Sequence, residues 1–317
     1  MSALQRVDPA GAGWVAALGV AAAFPLLVQN PFYFSIGITA LIFVGLAVAF
    51  DLVVGRIGAL SLTQPLFFGF GAYVAALLSV HADTNFWVEA GVGAVGAVVL
   101  AVLVGIPSFR LSLHSFAIGT LGFAAIGQVV AENWVQVTRG PYCVTGVAPL
   151  RLPFPGGTFM AVTLSQQYYV ILAVAALIVA AVFVLTRVRL DLAFTAVRDD
   201  PVLASARGLS PNGFRIGAFG ASAAFSAVCG AFAAHFQAVV CATSLGFAYT
   251  TALLIMVFVG GRASLRGVVA AAVIFTAVPQ LLRVTDEWRL TIYGLMLLVV
   301  VLVFPDGLER LIGKVRR

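Results

Sequence analysis

Long apolar runs, broken by short polar or glycine–proline interruptions, dominate the chain. They cover residues 14–28, 33–54, 60–80, 87–109, 112–131, 167–186, 216–240, 247–260, 264–282 and 288–304. At ~1.5 Å rise per residue, ~20 apolar residues in a helix cross a ~30 Å hydrocarbon core. The pattern therefore predicts an all-α fold, a polytopic integral membrane helical bundle of about ten spans. The ~10-residue alternating segments of a transmembrane barrel are absent from the sequence. The first run is short and alanine-rich, like a signal peptide. Its Phe24-Pro25-Leu26-Leu27 stretch offers no small-x-small cleavage site, so it reads as a retained helix. The run 247–260 is short for a full crossing and reads as a partial or broken helix.

Composition agrees. The 317 residues are 62% hydrophobic and 9% charged, where a soluble domain carries about 25% charged residues. A single transmembrane domain, 1–317, is expected. Charge then sets the orientation. With the N-terminus inside, fourteen basic residues face the cytoplasm, and Arg139, Arg151, Arg283 and Arg289 alone face out, accounting for all 18. That bias follows the positive-inside rule and places both termini in the cytoplasm. It also explains the basic pI of 9.7 without nucleic acid, for which no basic, aromatic-interleaved surface is present. The membrane itself is a partner, through headgroup contacts of arginines at helix ends. On the outer side, 132–166 is too long for a simple turn and has room for a short helix or a docking partner.

Charged residues are nearly absent from the middle of the runs. Asp51, Glu89, Glu132 and His114 lie near span ends, and His235 and Gln237 lie in the outer half of the seventh run. His235 reads as a hydrogen-bonded packing residue ahead of a proton relay. An ion-coupled transporter needs mid-membrane carboxylates or unwound ion sites, so this scarcity argues against one. No nucleophile, metal-ligand set or nucleotide loop appears, so no catalytic residue, metal or cofactor is assigned and the chain does not read as an enzyme. Cys143, Cys229 and Cys241 have no metal spacing. A Cys143–Cys241 disulfide is open, but unpaired cysteines acting as small hydrophobes are the favoured reading. Ala218, Ser222, Ser226, Gly230 and Ala234 recur every four residues, as do Gly213, Gly217 and Ala221, which suits close helix packing within the bundle ahead of a seam with another membrane subunit.

One stretch breaks the avoidance of charge. Between Arg187 and Arg215 the chain gathers five arginines and three aspartates. Within it, Asp200 suits a helix cap and Pro201 the first helical position. A helix of about two turns, 202–207, should follow, stopped by Gly208 and prevented from continuing by Pro211, with Ala204, Ser205 and Ala206 on its surface. Small residues on an exposed helix allow a close fit into another protein's groove, and the flanking charges can orient it.

This stretch, Phe194-Thr195-Ala196-Val197-Arg198-Asp199-Asp200 through Ala204 to Gly208-Leu209, resembles the cytoplasmic coupling loop of ABC importer permeases, more specifically the branched-chain amino-acid permeases of the LivM type. "DLVVGRIGALSLTQPLFFGFGAYVAALL" (51–78), "FAIGTLGFAAIGQVV" (116–130), "TRGPYCVTGV" (138–147), "LLIMVFVGGRASLRGVVAAAV" (253–273) and "IYGLMLLVVVLVFPDGL" (292–308) resemble that family in the same order. The resemblance implies one permease subunit of an ATP-driven importer in a bacterial inner membrane. It implies a second homologous permease, two cytoplasmic ATP-binding subunits and an extracytoplasmic solute-binding protein. In the coupling loop at 187–215 it assigns Asp200 and Pro201 to forming the coupling helix, and Ala204, Ser205, Arg207 and Gly208 to ATPase contact. Arg139, Tyr142 and Arg151 would dock the binding protein, and Ser61, Thr63 and Gln64 would line the path. Branched-chain or other small amino acids are the implied cargo, with another small carboxylate or amide solute as the alternative. The family pattern is altered at Ser61-Leu62-Thr63-Gln64-Pro65, at Gly260-Gly261-Arg262-Ala263-Ser264-Leu265-Arg266-Gly267-Val268 and at Arg139-Gly140-Pro141-Tyr142, and the first and last changes bear on the substrate. The rival readings are a self-sufficient secondary transporter, which requires buried ionisable groups, and a membrane anchor that recruits a soluble enzyme.

Overall fold

Asn30 and Pro31 start the first complete helix. The Asn30 side chain accepts from the Phe32 N–H at 3.0 Å, and Pro31 occupies the first helical position, where no donor is needed. In the computed structural model of the chain the described residues are 14, 18–25, 30–82, 84–111, 113–154, 157–187, 190–281 and 294. Residues 18–25 are helical (α1). The long helices are α2 (Pro31–Asp51), α3 (Gln64–Ala82), α4 (Phe86–Ser108), α5 (Leu113–Asn133), α7 (Leu164–Arg187) and α10 (Pro211–Gln237). Short α6 (Val135–Thr138), α8 (Leu190–Asp199) and α9 (Pro201–Ala206) lie between them, and α11 (Phe247–Gly260) and α12 (Leu265–Leu281) follow.

Among the described residues, six helices are long and apolar enough to cross a membrane: α2 with its extension to Ile57, α3, α4, α5, α7 and α10. With α11 and α12 they realise the eight sequence runs from 33 to 282. The run 14–28 is described only in part, and 288–304 lies outside the described residues apart from residue 294. At 14 residues, α11 spans about 21 Å, short of the hydrocarbon thickness. The chain is a multi-pass membrane protein. The exposed face of α4, with Val88, Val92, Val95, Val99 and Leu103, is the apolar surface that lipid requires.

Two helices are central. α2 packs against α7, α10, α11 and α12, and α10 packs against α3 and α4. The α10 row of Ala218, Ser222, Ser226, Gly230 and Ala234 is wholly buried within this bundle. A Cβ on Gly230 would lie 1.9 Å from the Phe68 carbonyl oxygen, and one on Gly71 would lie 2.2 Å from the Ala227 oxygen. Only glycine at these two sites lets the α3 and α10 backbones meet. The row Gly213, Gly217 and Ala221 behaves differently, since Gly213 and Gly217 are exposed.

The segment 132–166 carries structure that the hydropathy pattern does not announce. β2 (Leu150–Phe154) and β3 (Gly157–Ala161) form an antiparallel hairpin with Leu150 opposite Ala161. β1 (Val144–Thr145) pairs with β4 (Val239–Val240). The seventh run ends at Gln237, three residues before the expected 240, because Ala238 turns left-handed (φ 56°) and frees the next two residues to pair. Cys143 and Cys241, which flank this pairing, form a disulfide. The reading of all three cysteines as unpaired is therefore corrected: β1–β4 pairing brings together positions 98 residues apart. Only Cys229 is a buried free thiol.

Candidate functional site

At the end of the bundle that carries the dense arginines, α8 and α9 form a short bent pair. α8 buries Ala193, Phe194 and Val197 on one side, and Phe194 meets Phe214 of α10 edge-on at 6.0 Å. α9 is capped at both ends. The Asp200 carboxylate accepts from the Val202 and Leu203 N–H groups at 2.9 and 3.0 Å, and Pro201 fills the first helical position. At the other end Gly208 is left-handed (φ 83°), the Leu209 N–H reaches the Ala204 carbonyl at 3.1 Å, and the Gly208 N–H reaches that of Ser205 at 3.0 Å. These two bonds satisfy carbonyls that a helix end leaves free. The helix is where the sequence places it.

Its surface is different. Ala204 is buried, 3% exposed, whereas Val202 is 77% and Leu203 55% exposed. Ser205, Ala206, Arg207 and Gly208 are also exposed. The expectation that Ala204 lies on the surface is corrected: on so short a helix the neighbouring side chains fix which face turns inward, and the two larger apolar residues project. Pro211 opens α10 at its first turn, so it begins the next helix as well as preventing continuation of the last.

Ser61, Thr63 and Gln64 come together in a fully buried polar cluster. The chain breaks out of helix at Gly58, and Thr63 caps α3 by accepting from the Leu66 N–H at 3.0 Å. The Ser61 and Thr63 hydroxyls lie 2.8 Å apart. The Gln64 amide donates to Ser222 at 3.0 Å and also to Ser226. Ser222 in turn donates to the Ala49 carbonyl at 2.5 Å, so one knot ties α3, α10 and α2. Thr120 of α5 joins by accepting from the Leu62 N–H at 3.1 Å. The partners Ser222, Ser226 and Thr120 escape sequence reasoning as site residues. Their one sequence signal is the recurrence of serine in the small-residue row of α10.

Toward the hairpin end, Tyr142 is 82% exposed and Arg139 is exposed with left-handed backbone (φ 58°). Arg151 sits on β2 and is half-buried. The disulfide and β1–β4 pairing fasten this surface to the end of α10. Beneath it, the Thr84 hydroxyl donates to Glu89 Oε1 at 3.0 Å, and His235 Nε2 meets Glu89 Oε2. His235 Nδ1 lies 2.8 Å from the Ala148 carbonyl. A carbonyl only accepts, so Nδ1 carries hydrogen, and the Nε2–Oε2 contact holds one further shared proton. Glu89 is completely buried. His235 is thus a satisfied packing residue whose partner is a carboxylate, which the sequence does not reveal. Among the described residues, no group of three or more His, Cys, Asp and Glu is placed to hold a metal ion.

Comparison with known proteins gives a consistent result. Residues 32–301 match the family described as the permease component of the branched-chain amino acid transport system. The permease protein LivM of the high-affinity branched-chain amino acid transport system of Escherichia coli (strain K12) is 30% identical over 313 residues, covering 93% of this chain and 73% of that protein. The LivM protein of Salmonella typhimurium is likewise 30% identical with the same coverage. No solved structure matches the chain.

Proposed function

The chain belongs to the branched-chain amino acid transport permease family of ABC transporters, and from that premise we propose that it is one permease subunit of an ATP-driven importer of branched-chain or other small amino acids. It works in a bacterial inner membrane, with the arginine-rich end in the cytoplasm. The single observation that carries the coupling role is α9, a six-residue helix fixed by caps at both ends with Val202 and Leu203 projecting. A pre-ordered apolar knob on a charged loop suits insertion into a groove of an ATP-binding subunit, because little ordering entropy is lost on docking. Asp200, Pro201 and Gly208 shape the knob, Ser205 and Arg207 border it, and Ala204 anchors it from behind. The partners are a second homologous permease, two ATP-binding subunits and an extracytoplasmic solute-binding protein that docks at Arg139, Tyr142 and Arg151. Ser61, Thr63 and Gln64 act as path-lining polar groups that become available when helices separate along the α3–α10 knot.

ATP binding in the partner subunits then moves α9, and the helices follow as nearly rigid bodies. The permease itself contributes passage, and hydrolysis belongs to its partners. The test is uptake of labelled leucine by liposomes carrying the complete purified complex. Uptake is expected only with ATP and the binding protein together, and uptake by the permease alone along an ion gradient contradicts the proposal. The secondary-transporter reading has one observation in its favour, the buried Glu89–His235 pair. Its proton is tied between side chains that also hold the outer loop, which suits a staple better than a path.

A further inference from the structure

The last turn of α2 is not α-helical. Leu52–Ile57 forms a π-helical segment ending at left-handed Gly58 (φ 74°). Such wide turns are rare, occur mostly as single turns within α-helices and recur at functional positions. Here the turn is held from both sides. From α8, Asp191 pairs with Arg56 at 2.5 Å, the two side chains being 37% and 13% exposed. Also from α8, Arg198 donates to the Gly55 carbonyl at 3.2 Å, one of those a helix C-terminus leaves free. The Arg198 stem lies so close over Gly58 that a Cβ there would be 2.7 Å from its Cγ. On the opposite side, buried Asp51 accepts from the Ala263 N–H at 2.9 Å. Ala263 is itself left-handed (φ 63°) in the turn joining α11 to α12, a conformation that is unfavourable for a non-glycine residue and persists only when held. A Cβ on Gly55 would fall 2.0 Å from Asp51 Oδ1 and 2.6 Å from the Ala263 nitrogen, so the grip leaves no spare room.

We infer that this π turn is the mechanical relay of the transporter: α8 grips it through Asp191–Arg56 and Arg198–Gly55, and the turn grips the α11–α12 hairpin through Asp51–Ala263. Movement of α9 is therefore delivered to α2 and to the hairpin together. α8 and α9 move as one because only Asp200 separates them and its N–H is bonded to the Ala196 carbonyl at 3.0 Å. Arg56, Asp191, Arg198 and Asp51 are positioning residues that touch no solute. The inference rests on the importer reading and adds the route by which ATP binding reaches the spans.

The test uses the complete complex in liposomes and measures solute uptake and ATP hydrolysis side by side. Arg56→Asp and Asp191→Arg are each expected to retain the ATP-binding subunits and hydrolysis while uptake falls about tenfold or more. The double exchange, Arg56→Asp with Asp191→Arg, is expected to recover most of the uptake. Asp191→Asn, which keeps the volume, should also lower uptake per ATP hydrolysed, and it decides the matter if the charge reversals fail to fold. Wild-type uptake in Asp191→Asn overturns the relay. So does loss of the ATP-binding subunits from the single variants, because the pair then only shapes the docking face. A wild-type protein that purifies without ATP-binding subunits sinks the importer reading itself, a result visible before any variant is made.

Discussion

Leu203 and Ala204 are adjacent on α9, yet one is half-exposed and the other buried. Ala204→Trp must therefore break the packing of α9 against its own chain, and overpacking costs roughly 1–3 kcal/mol. The variant is expected to unfold at lower temperature as an isolated subunit; unchanged melting would place Ala204 on the surface after all. At the other end of the molecule, Glu89→Ala leaves His235 without its carboxylate. Removing one partner of a buried pair costs about 3–5 kcal/mol. The double replacement Glu89→Leu with His235→Leu should recover much of that loss in a thermal melt, and a double variant no better than the single would deny the pair its structural role. At this scale the sequence speaks only where chemistry is local. Asp200 and Gly208 are legible because a cap reads its own neighbours two or three residues away. Glu89 and His235 are 146 residues apart, and nothing in either neighbourhood points to the other. The inward turn of Ala204 is equally hidden, since it depends on what lies beneath the helix.

Among the elements, the spans are the most legible, because a bilayer demands long apolar helices whatever packs beside them. The run 247–260 even has its observed bounds, Phe247–Gly260. The hairpins are not legible. β1 and β4 are two residues each and pair across four helices in sequence, too short for any alternating pattern. The π turn is hidden for a related reason, since nothing in Leu52–Ile57 itself announces a wide turn and its partners lie far along the chain, in α8 and at Ala263. The disulfide gives an element-scale prediction. Closing a free loop of ~100 residues is worth ~4.7 kcal/mol by chain entropy, but helices already held in a bilayer lose far less freedom, so this is an upper bound. Cys143→Ser is thus expected to leave the bundle folded while exposing the 132–166 segment to protease. In the unreduced wild type, a membrane-impermeant maleimide should label no thiol, because Cys229 is buried. Labelling before reduction contradicts the pairing.

Across the whole molecule, the two ends differ in kind. One is fastened by a disulfide, paired strands and the Glu89–His235 contact. The other carries the capped helix, the Arg56–Asp191 ion pair that grips the end of α2 and the Asp51 hydrogen bond that holds the α11–α12 turn. Between them the α3–α10 knot of Gln64, Ser222 and Ser226 is fully buried and hydrogen-bonded. A fastened end, a buried polar knot and a gripped opposite end suit the proposed role of a subunit powered by its partners. The most direct test is mild-detergent purification of the tagged protein from its native membrane, comparing wild type with Leu203→Glu and identifying bound proteins by mass spectrometry. The account predicts a second permease and two ATP-binding subunits with the wild type, and loss of the ATP-binding subunits alone from Leu203→Glu. A wild-type protein that purifies by itself from cells containing those subunits, or a Leu203→Glu variant that keeps them, contradicts it.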